Sequence, residues 1–201
     1  MHQSIRETIA EHLRVVEAVA TLSNEIAGAA DRMIECIGNG GKLCWCGNGG
    51  SAADSQHLAA EMVVRFERER RGLPAMAFNT DTSILTAVGN DLGFERIFAR
   101  QVEALMRPDD LLVAISTSGT SSNILQAVRT ANEKGIETLG LTGRDGGILL
   151  DLADHCLVVP SGNTARIQEA HILIGHILCD LVEAHFTPKA DSPFEPPARA
   201  S

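Results

Sequence analysis

Gly47-Asn48-Gly49-Gly50-Ser51-Ala52-Ala53-Asp54-Ser55-Gln56-His57-Leu58-Ala59-Ala60-Glu61 follows directly on the short apolar run Lys42-Leu43-Cys44-Trp45-Cys46. The run suits a buried strand, and the residues after the glycines have helical spacing, so the stretch reads as strand, glycine turn and helix. Gly47, Gly49 and Gly50 allow a sharp turn and a close approach of a ligand to the backbone. Ser51 is a good N-cap and is expected to start the helix. The free N–H groups of that first turn, together with the helix dipole, favour an anion. Further along the same helix His57 and Glu61 stand four residues apart, about 40° around the axis, so both point the same way.

Working outward, the strand–turn–helix pattern recurs. Before it, Ile5, Ile9, Leu13, Val16, Val19, Ala20, Leu22, Ile26 and Met33 mark one or two amphipathic helices between Ser4 and about Ile37, closed by Gly38 to Gly41. After it, the first helix is expected to run to about Phe66. A charged loop follows, with a strand over Pro74–Phe78 and a helix over Ile84–Val88. Gly89 to Gly93 reads as a turn and Phe94–Met106 as a helix. Leu111–Ile115 is the clearest buried strand, and it leads straight into Ser116-Thr117-Ser118-Gly119-Thr120-Ser121 and a helix over 122–134. Glu137–Leu141 and His155–Val159 are further strands, and Ser161 to Thr164 caps a long helix over Ala165–Phe186. Strands apolar on both faces and alternating with helices mean an α/β fold. The expected form is a parallel sheet covered by helices on both faces, flavodoxin-like and three-layered. Ligands in such folds sit at the carboxyl ends of the strands, where both glycine and hydroxyl loops fall.

At 201 residues the chain suits one domain. The division is N-terminal helices over 1–40, a site-bearing domain over 41–186 and a proline-rich, disordered tail over 187–201. The net charge of −9 argues against a nucleic-acid or anionic-membrane partner, though not against an anion held by local dipoles. No apolar run is long enough to span a membrane, and no signal peptide is expected. Cys36, Cys44, Cys46, Cys156 and Cys179 lie in apolar surroundings without a C-x-x-C pair, which suggests buried thiols in a reducing, cytoplasmic setting.

The first loop formally fits the dinucleotide fingerprint, but no acid ends the next strand to hold a ribose. The second loop offers five hydroxyls and no lysine, which suits a phosphate monoester held by neutral donors and not a triphosphate. An ordinary capping loop would need only one or two hydroxyls. His57 and Glu61 gain weight from following the first loop. Arg65, one turn on, either orients Glu61, meets an anion or forms a solvated salt bridge. On the last helix Gln168 and His176 lie about 80° apart. His176 stands in an apolar stripe that equally suits a core histidine, and His171 competes with it.

Taken together these residues resemble the SIS (sugar isomerase) phosphosugar-binding proteins, and more narrowly the phosphoheptose isomerases. Beside the two loops, the matching stretches are L-P-A-M-A-F-N-T-D-T-S-I-L-T-A-V-G-N-D, F-A-R-Q-V-E-A-L, L-T-G-R-D-G-G and T-A-R-I-Q-E-A-H-I-L-I-G-H-I-L-C-D-L-V-E, covering nearly everything from Gly40 to Phe186. Ser55, Thr120 and Leu92 stand where Ala, Asn and Tyr are frequent in the family. The resemblance implies a single SIS domain and a ketose–aldose isomerisation through an enediol(ate). The expected conversion is D-sedoheptulose 7-phosphate to D-glycero-D-manno-heptose 7-phosphate, the entry to activated heptose for surface polysaccharide (lipopolysaccharide). Glu61 matches the base and His176 the acid. Ser116, Thr117, Ser118 and Ser121 match the phosphate loop. Asn48, Gly49, Gly50, Asn90 and Asp91 match substrate contacts, and Ser51, Arg65 and Gln168 join the expected substrate-binding set. Zinc is implied at His57, Glu61, Gln168 and His176. A homotetramer with sites at subunit interfaces is implied too, and would explain how His176 reaches Glu61. The alternative is a non-catalytic paralogue that acts as a tetrameric scaffold for the replication initiator. Such paralogues have lost the Glu/His pair that this chain keeps. A sugar-phosphate-sensing regulator is a third reading, and it lacks the expected basic helix-turn-helix segment here.

Overall fold

In the strands, successive side chains alternate between two cores, and this is what layers the molecule. The computed structural model describes residues 2–188. Helices α1 (His2–Val19) and α2 (Ser23–Gly38) are joined by a 3-10 turn over Ala20–Leu22, and strand β1 (Leu43–Gly47) follows. Then come α3 (Gly50–Val63), β2 (Ala75–Ala77), α4 (Thr82–Asp91), a 3-10 turn over Phe94–Arg96 and α5 (Ala99–Leu105). The chain continues through β3 (Leu111–Ile115), α6 (Ser122–Glu133), β4 (Glu137–Gly143), α7 (Gly147–Leu152), β5 (His155–Val159) and α8 (Thr164–Phe186). In β1, Leu43 and Trp45 face a core shared with α1, α2, α3 and α8, while Cys44 and Cys46 face a core shared with α4 to α7. That double burial explains why the strands read as continuous apolar runs.

The sheet is parallel throughout, in the order β2-β1-β3-β4-β5. This is the flavodoxin-like order, as expected from the sequence. The order reverses between β1 and β3. Gly47 is paired with Ile115 there, so the loops after the two strands leave the sheet side by side. This is the crevice in which doubly wound folds place a ligand.

The structure corrects several expectations. Ser51 does not cap α3. Gly49, at φ +56°, takes the N-cap position, and its carbonyl accepts from Ala52 N (3.1 Å). A residue with positive φ closes the turn two residues earlier than a cap at Ser51 would, so Ser51 lies buried in the first turn. Helix α3 also stops at Val63, short of Phe66, because Arg70 draws the carbonyls of its last turn. Residues 89–91, read as a turn, complete α4, which starts at a true cap: Asp81 accepts from Ile84 N at 2.9 Å. The helix expected over Phe94–Met106 is split. Its 3-10 start follows Gly93 (φ +93°), and the side-chain amide of buried Gln101 donates to the carbonyls of Phe78 and Ile97. The expectation of a disordered tail over 187–201 falls, beyond residue 188, outside the described residues.

The five cysteines are free thiols. Burial pushes Cys36, Cys44 and Cys179 up to about 12 and Cys156 to about 11, so none of these four is a thiolate at neutral pH.

Candidate active site

The two loops at the switch point are stitched together by a reciprocal amide pair. Asn48 Nδ2 donates to Asn123 Oδ1 and Asn123 Nδ2 donates back to Asn48 Oδ1, each at 2.8 Å. Asn48, read from sequence as a substrate contact, therefore commits its side chain to the frame. Gly49 and Gly50 remain exposed beside it, with Ser51 buried beneath.

The second loop turns tightly after β3. Ser116 Oγ donates to Ser121 Oγ at 3.1 Å, and Thr120 N and Thr120 Oγ1 both donate to Ser118 Oγ, at 3.3 and 3.0 Å. Thr117 is half-buried between them. The loop closes through Gly119 at φ +66°, whose N–H reaches Ser116 O at 3.0 Å. Ser121 is the N-cap of α6 and makes no capping bond with its hydroxyl; Ile124 N donates to Asn123 Oδ1 at 3.0 Å, and the N–H groups of Ser122 and Asn123 at the start of this twelve-residue helix are open to an anion. Helix α7, after β4, backs this turn: Leu149 N donates to Gly119 O at 3.0 Å.

Helices α3 and α8 supply the acid–base groups. His57 Nε2 lies 3.0 Å from His176 Nε2 and 3.3 Å from Glu61 Oε1. The two imidazoles meet edge to face with ring centroids 5.2 Å apart. The encounter takes place within one chain, so no second subunit is needed to bring His176 to the Glu61 row, contrary to the expectation above. Its cause is a close helix crossing. A Cβ on Gly175 would stand 2.6 Å from Leu58 Cδ1, and one on Gly50 would strike the Gln168 amide at 2.1 Å. Each of these contacts adjoins a site residue: Leu58 follows His57, and Gly175 precedes His176. Gly175→Ala is therefore expected to force α8 off α3, at a cost of about 1–3 kcal/mol. At about 2–4 °C per kcal/mol, a thermal melt reads this directly. Unchanged melting and turnover would mean that Leu58 turns aside without moving the helix.

Asp54, not singled out from the sequence, belongs to this row. It is buried, facing Gln168, and one carboxylate oxygen has no partner. Burial raises its pKa, partly offset by a hydrogen bond with the Gln168 side chain and by the charges of His57 and His176. Its signal was present: Asp54 and Glu61 are seven residues apart, about 20° around the helix. Asn123 carried no such signal, because its partner lies in a different loop.

Other expected residues fall elsewhere. Arg65 is exposed and pairs with Glu69, the solvated salt bridge of the alternative reading. Asn90 and Asp91 end α4, both exposed. The Asn90 amide donates to the Asp91 carboxylate at 2.7 Å, and among the described residues neither bonds to the two loops. His171 is a core residue. Its Nε2 faces Thr142 O at 3.0 Å, and burial holds its pKa down to about 4, so it is neutral and donates there. A surface depression lined by Glu137, Asp154 and His155 lies at the opposite, amino-terminal end of the strands.

The donor types at the crossing suit zinc: two imidazoles, a carboxylate and an amide. The two nitrogens stand near the separation that imidazoles take on one tetrahedral ion. Within the single chain, however, no three His, Cys, Asp or Glu side chains among the described residues already form a set that could hold a metal. To hold the ion the two nitrogens would have to part slightly from 3.0 Å, and Glu61 and Gln168 would have to close on it.

A family model described as SIS domain matches residues 8–143. A phosphoheptose isomerase of Geotalea daltonii is 55% identical over 184 residues, spanning 91% of this chain and 96% of that protein. The solved phosphoheptose isomerase from Neisseria gonorrhoeae is 46% identical with a TM-score of 0.85, covering 91% of this chain and 98% of its own. That of Francisella tularensis is 43% identical with a TM-score of 0.87, covering 90% and 97%.

Proposed function

The chain belongs to the SIS-domain phosphoheptose isomerases, and from that premise we propose that it converts D-sedoheptulose 7-phosphate to D-glycero-D-manno-heptose 7-phosphate. The observation that carries the reading is the α3–α8 crossing, which sets His57, on the helix that opens with the first glycine loop, within hydrogen-bond distance of His176 on α8 and 3.3 Å from Glu61 on its own helix. Aldose–ketose exchange moves one proton between adjacent carbons and another between their oxygens. It needs a base beside the carbonyl and an acid for the oxygens. Glu61 takes the carbon-bound proton, and His176 supplies and recovers the oxygen proton. His57, touching both, holds them in register. The phosphate binds the Ser116–Ser121 turn and the α6 amino terminus, held by Ser116, Thr117, Ser118, Ser121 and backbone N–H groups without a cationic side chain. Gly49 and Gly50 let the sugar approach the backbone. The relatives lend no support to the scaffold alternative, whose mark, loss of the Glu/His pair, is absent here.

Zinc held by His57, Glu61, Gln168 and His176 would polarise the substrate carbonyl. The same Glu61 and His176 would then serve two roles. A tetramer is supported by an apolar stripe on α1, where Ile5, Ile9 and Leu13 are 52%, 53% and 56% exposed. Exposed Asn90 and Asp91 then complete a site from a neighbouring copy. Five free thiols suit the cytoplasm, and among the described residues no helix is long and apolar enough to cross a membrane. The product would feed activated heptose for lipopolysaccharide.

An NMR assay with sedoheptulose 7-phosphate tests the reading, before and after chelation and zinc return. Conversion to an aldoheptose phosphate is expected, lost on chelation and recovered with zinc. No conversion by folded protein in either state would sink the isomerase reading. Conversion unaffected by chelation would sink the zinc site alone.

A further inference from the structure

A carboxylate and a guanidinium outside the proposed chemistry meet where α3 ends against α8. The side chains of Glu183 and Arg70 are both fully buried, with Arg70 Nε 3.2 Å from Glu183 Oε1, facing it without the alignment of a hydrogen bond. The rest of the guanidinium caps α3. Nη2 donates to Glu61 O at 2.8 Å, and Nη1 donates to Met62 O at 2.9 Å and to Arg71 O at 3.0 Å. Glu61 and Met62 belong to the last turn, whose carbonyls a helix leaves without partners. On the other side Glu183 gathers three backbone donors: Oε1 accepts from Phe66 N at 2.8 Å, and Oε2 from Glu67 N at 2.7 Å and Arg68 N at 2.8 Å. Burial alone would raise its pKa. These amides and Arg70 outweigh burial and hold it below the usual carboxylate range, so it stays an anion. A buried pair of this kind adds little stability over an apolar pair of the same shape. What it does supply is a fixed geometry.

That geometry reaches the site twice. Arg70 grips the carbonyl of Glu61 itself. Glu183 lies seven residues beyond His176 on α8, about 20° around the axis and so on the same face. Phe66, whose N–H Glu183 holds, lies against the His176 ring with centroids 5.4 Å apart. Resting on the isomerase reading, we propose that Arg70 and Glu183 are a positioning pair that sets Glu61 against His176 and seats Phe66 on the His176 ring, neither touching substrate.

Glu183→Gln keeps the shape and loses the charge, while Arg70→Lys keeps the charge and loses the fork. In each, kcat is expected to fall about 10- to 100-fold, as misplacement of reacting groups does. KM for the sugar phosphate should hold within about twofold, because the phosphate loop is untouched. The imidazole 15N resonances of His176 should shift in the metal-free protein. Val128→Ala, a core change on the other face of the sheet, is the control and should leave both readouts alone. Wild-type kcat and wild-type His176 resonances in folded Glu183→Gln and Arg70→Lys would overturn the proposal. So would losses that Val128→Ala reproduces at equal melting temperature. If Glu183→Gln does not fold, Arg70→Lys decides by the same readouts. Should the wild type fail to isomerise the heptose, the resonance shift still tests the positioning by itself.

Discussion

Glu61→Gln and His176→Gln are each expected to lower kcat by about 10²- to 10⁴-fold, the usual worth of a positioned acid or base. KM should change little in either variant. The physical reason is that an amide has the size of the carboxylate or imidazole it replaces, with no lone pair basic enough to take a proton from carbon. Glu61 sits in a half-open position, its side chain 21% exposed, 3.3 Å from His57 Nε2. It can therefore be replaced without orphaning a buried charge, and both variants should fold. The two roles separate in deuterated water. Glu61→Gln should abolish the exchange of the substrate's carbon-bound proton with solvent along with turnover. His176→Gln should leave more exchange than turnover, since the base survives. Exchange at the wild-type rate in Glu61→Gln would place the base elsewhere, and full turnover in either variant would remove that residue from the mechanism.

How much of this was legible in the sequence depended on range. The two loops were readable because their chemistry is local: three glycines after one apolar run, five hydroxyls after another. Parallel pairing then places both at the same end of the sheet. Strands apolar on both faces likewise showed a parallel sheet between two layers of helices, whereas the order of its strands came from the structure. The meeting of His57 with His176, 119 residues apart, was not readable. It depends on Gly175 letting Leu58 approach, and periodicity does not carry that contact. For the same reason His171 and His176 looked equivalent. They are five residues apart in one apolar stripe, about 140° around the axis, so one enters the core against Thr142 and the other meets α3. The Ser51 cap failed for a more local reason: a glycine at φ +56° pre-empted it. Arg65 was placed on the Glu61 face by helical extrapolation, but the helix ends at Val63 and the extrapolation ends with it.

Gly119→Ala should damage binding where Glu61→Gln damages turnover. At Gly119 the backbone has φ +66°, and a Cβ would stand 1.9 Å from Gly146 O and 2.7 Å from Gly146 C. Both atoms are backbone, and neither can swing aside as a side-chain tip does. They are pinned in turn, because Gly147 packs at φ +57° against Ser118 O. The variant must therefore move the phosphate turn itself, at a cost of about 1 kcal/mol for the left-handed backbone and about 1–3 kcal/mol for the overpacking. The displaced loop carries Ser118, Thr120 and the amides leading into α6. KM for the sugar phosphate and the inhibition constant of inorganic phosphate should rise together, and kcat/KM should fall by about 100-fold or more. Gly135→Ala is the matched control. Gly135 also has positive φ, +67°, but nothing lies within 4 Å of its would-be Cβ, so it should show the backbone cost alone. If Gly119→Ala leaves phosphate inhibition unchanged, the Ser116–Ser121 turn does not hold the phosphate. If Gly135→Ala weakens binding as much, strain in any glycine loop explains the loss and the β3–α6 turn has no special claim. The expected pattern, kcat failing at α3–α8 and KM failing at β3–α6, is what a site built from two separately supported halves should give.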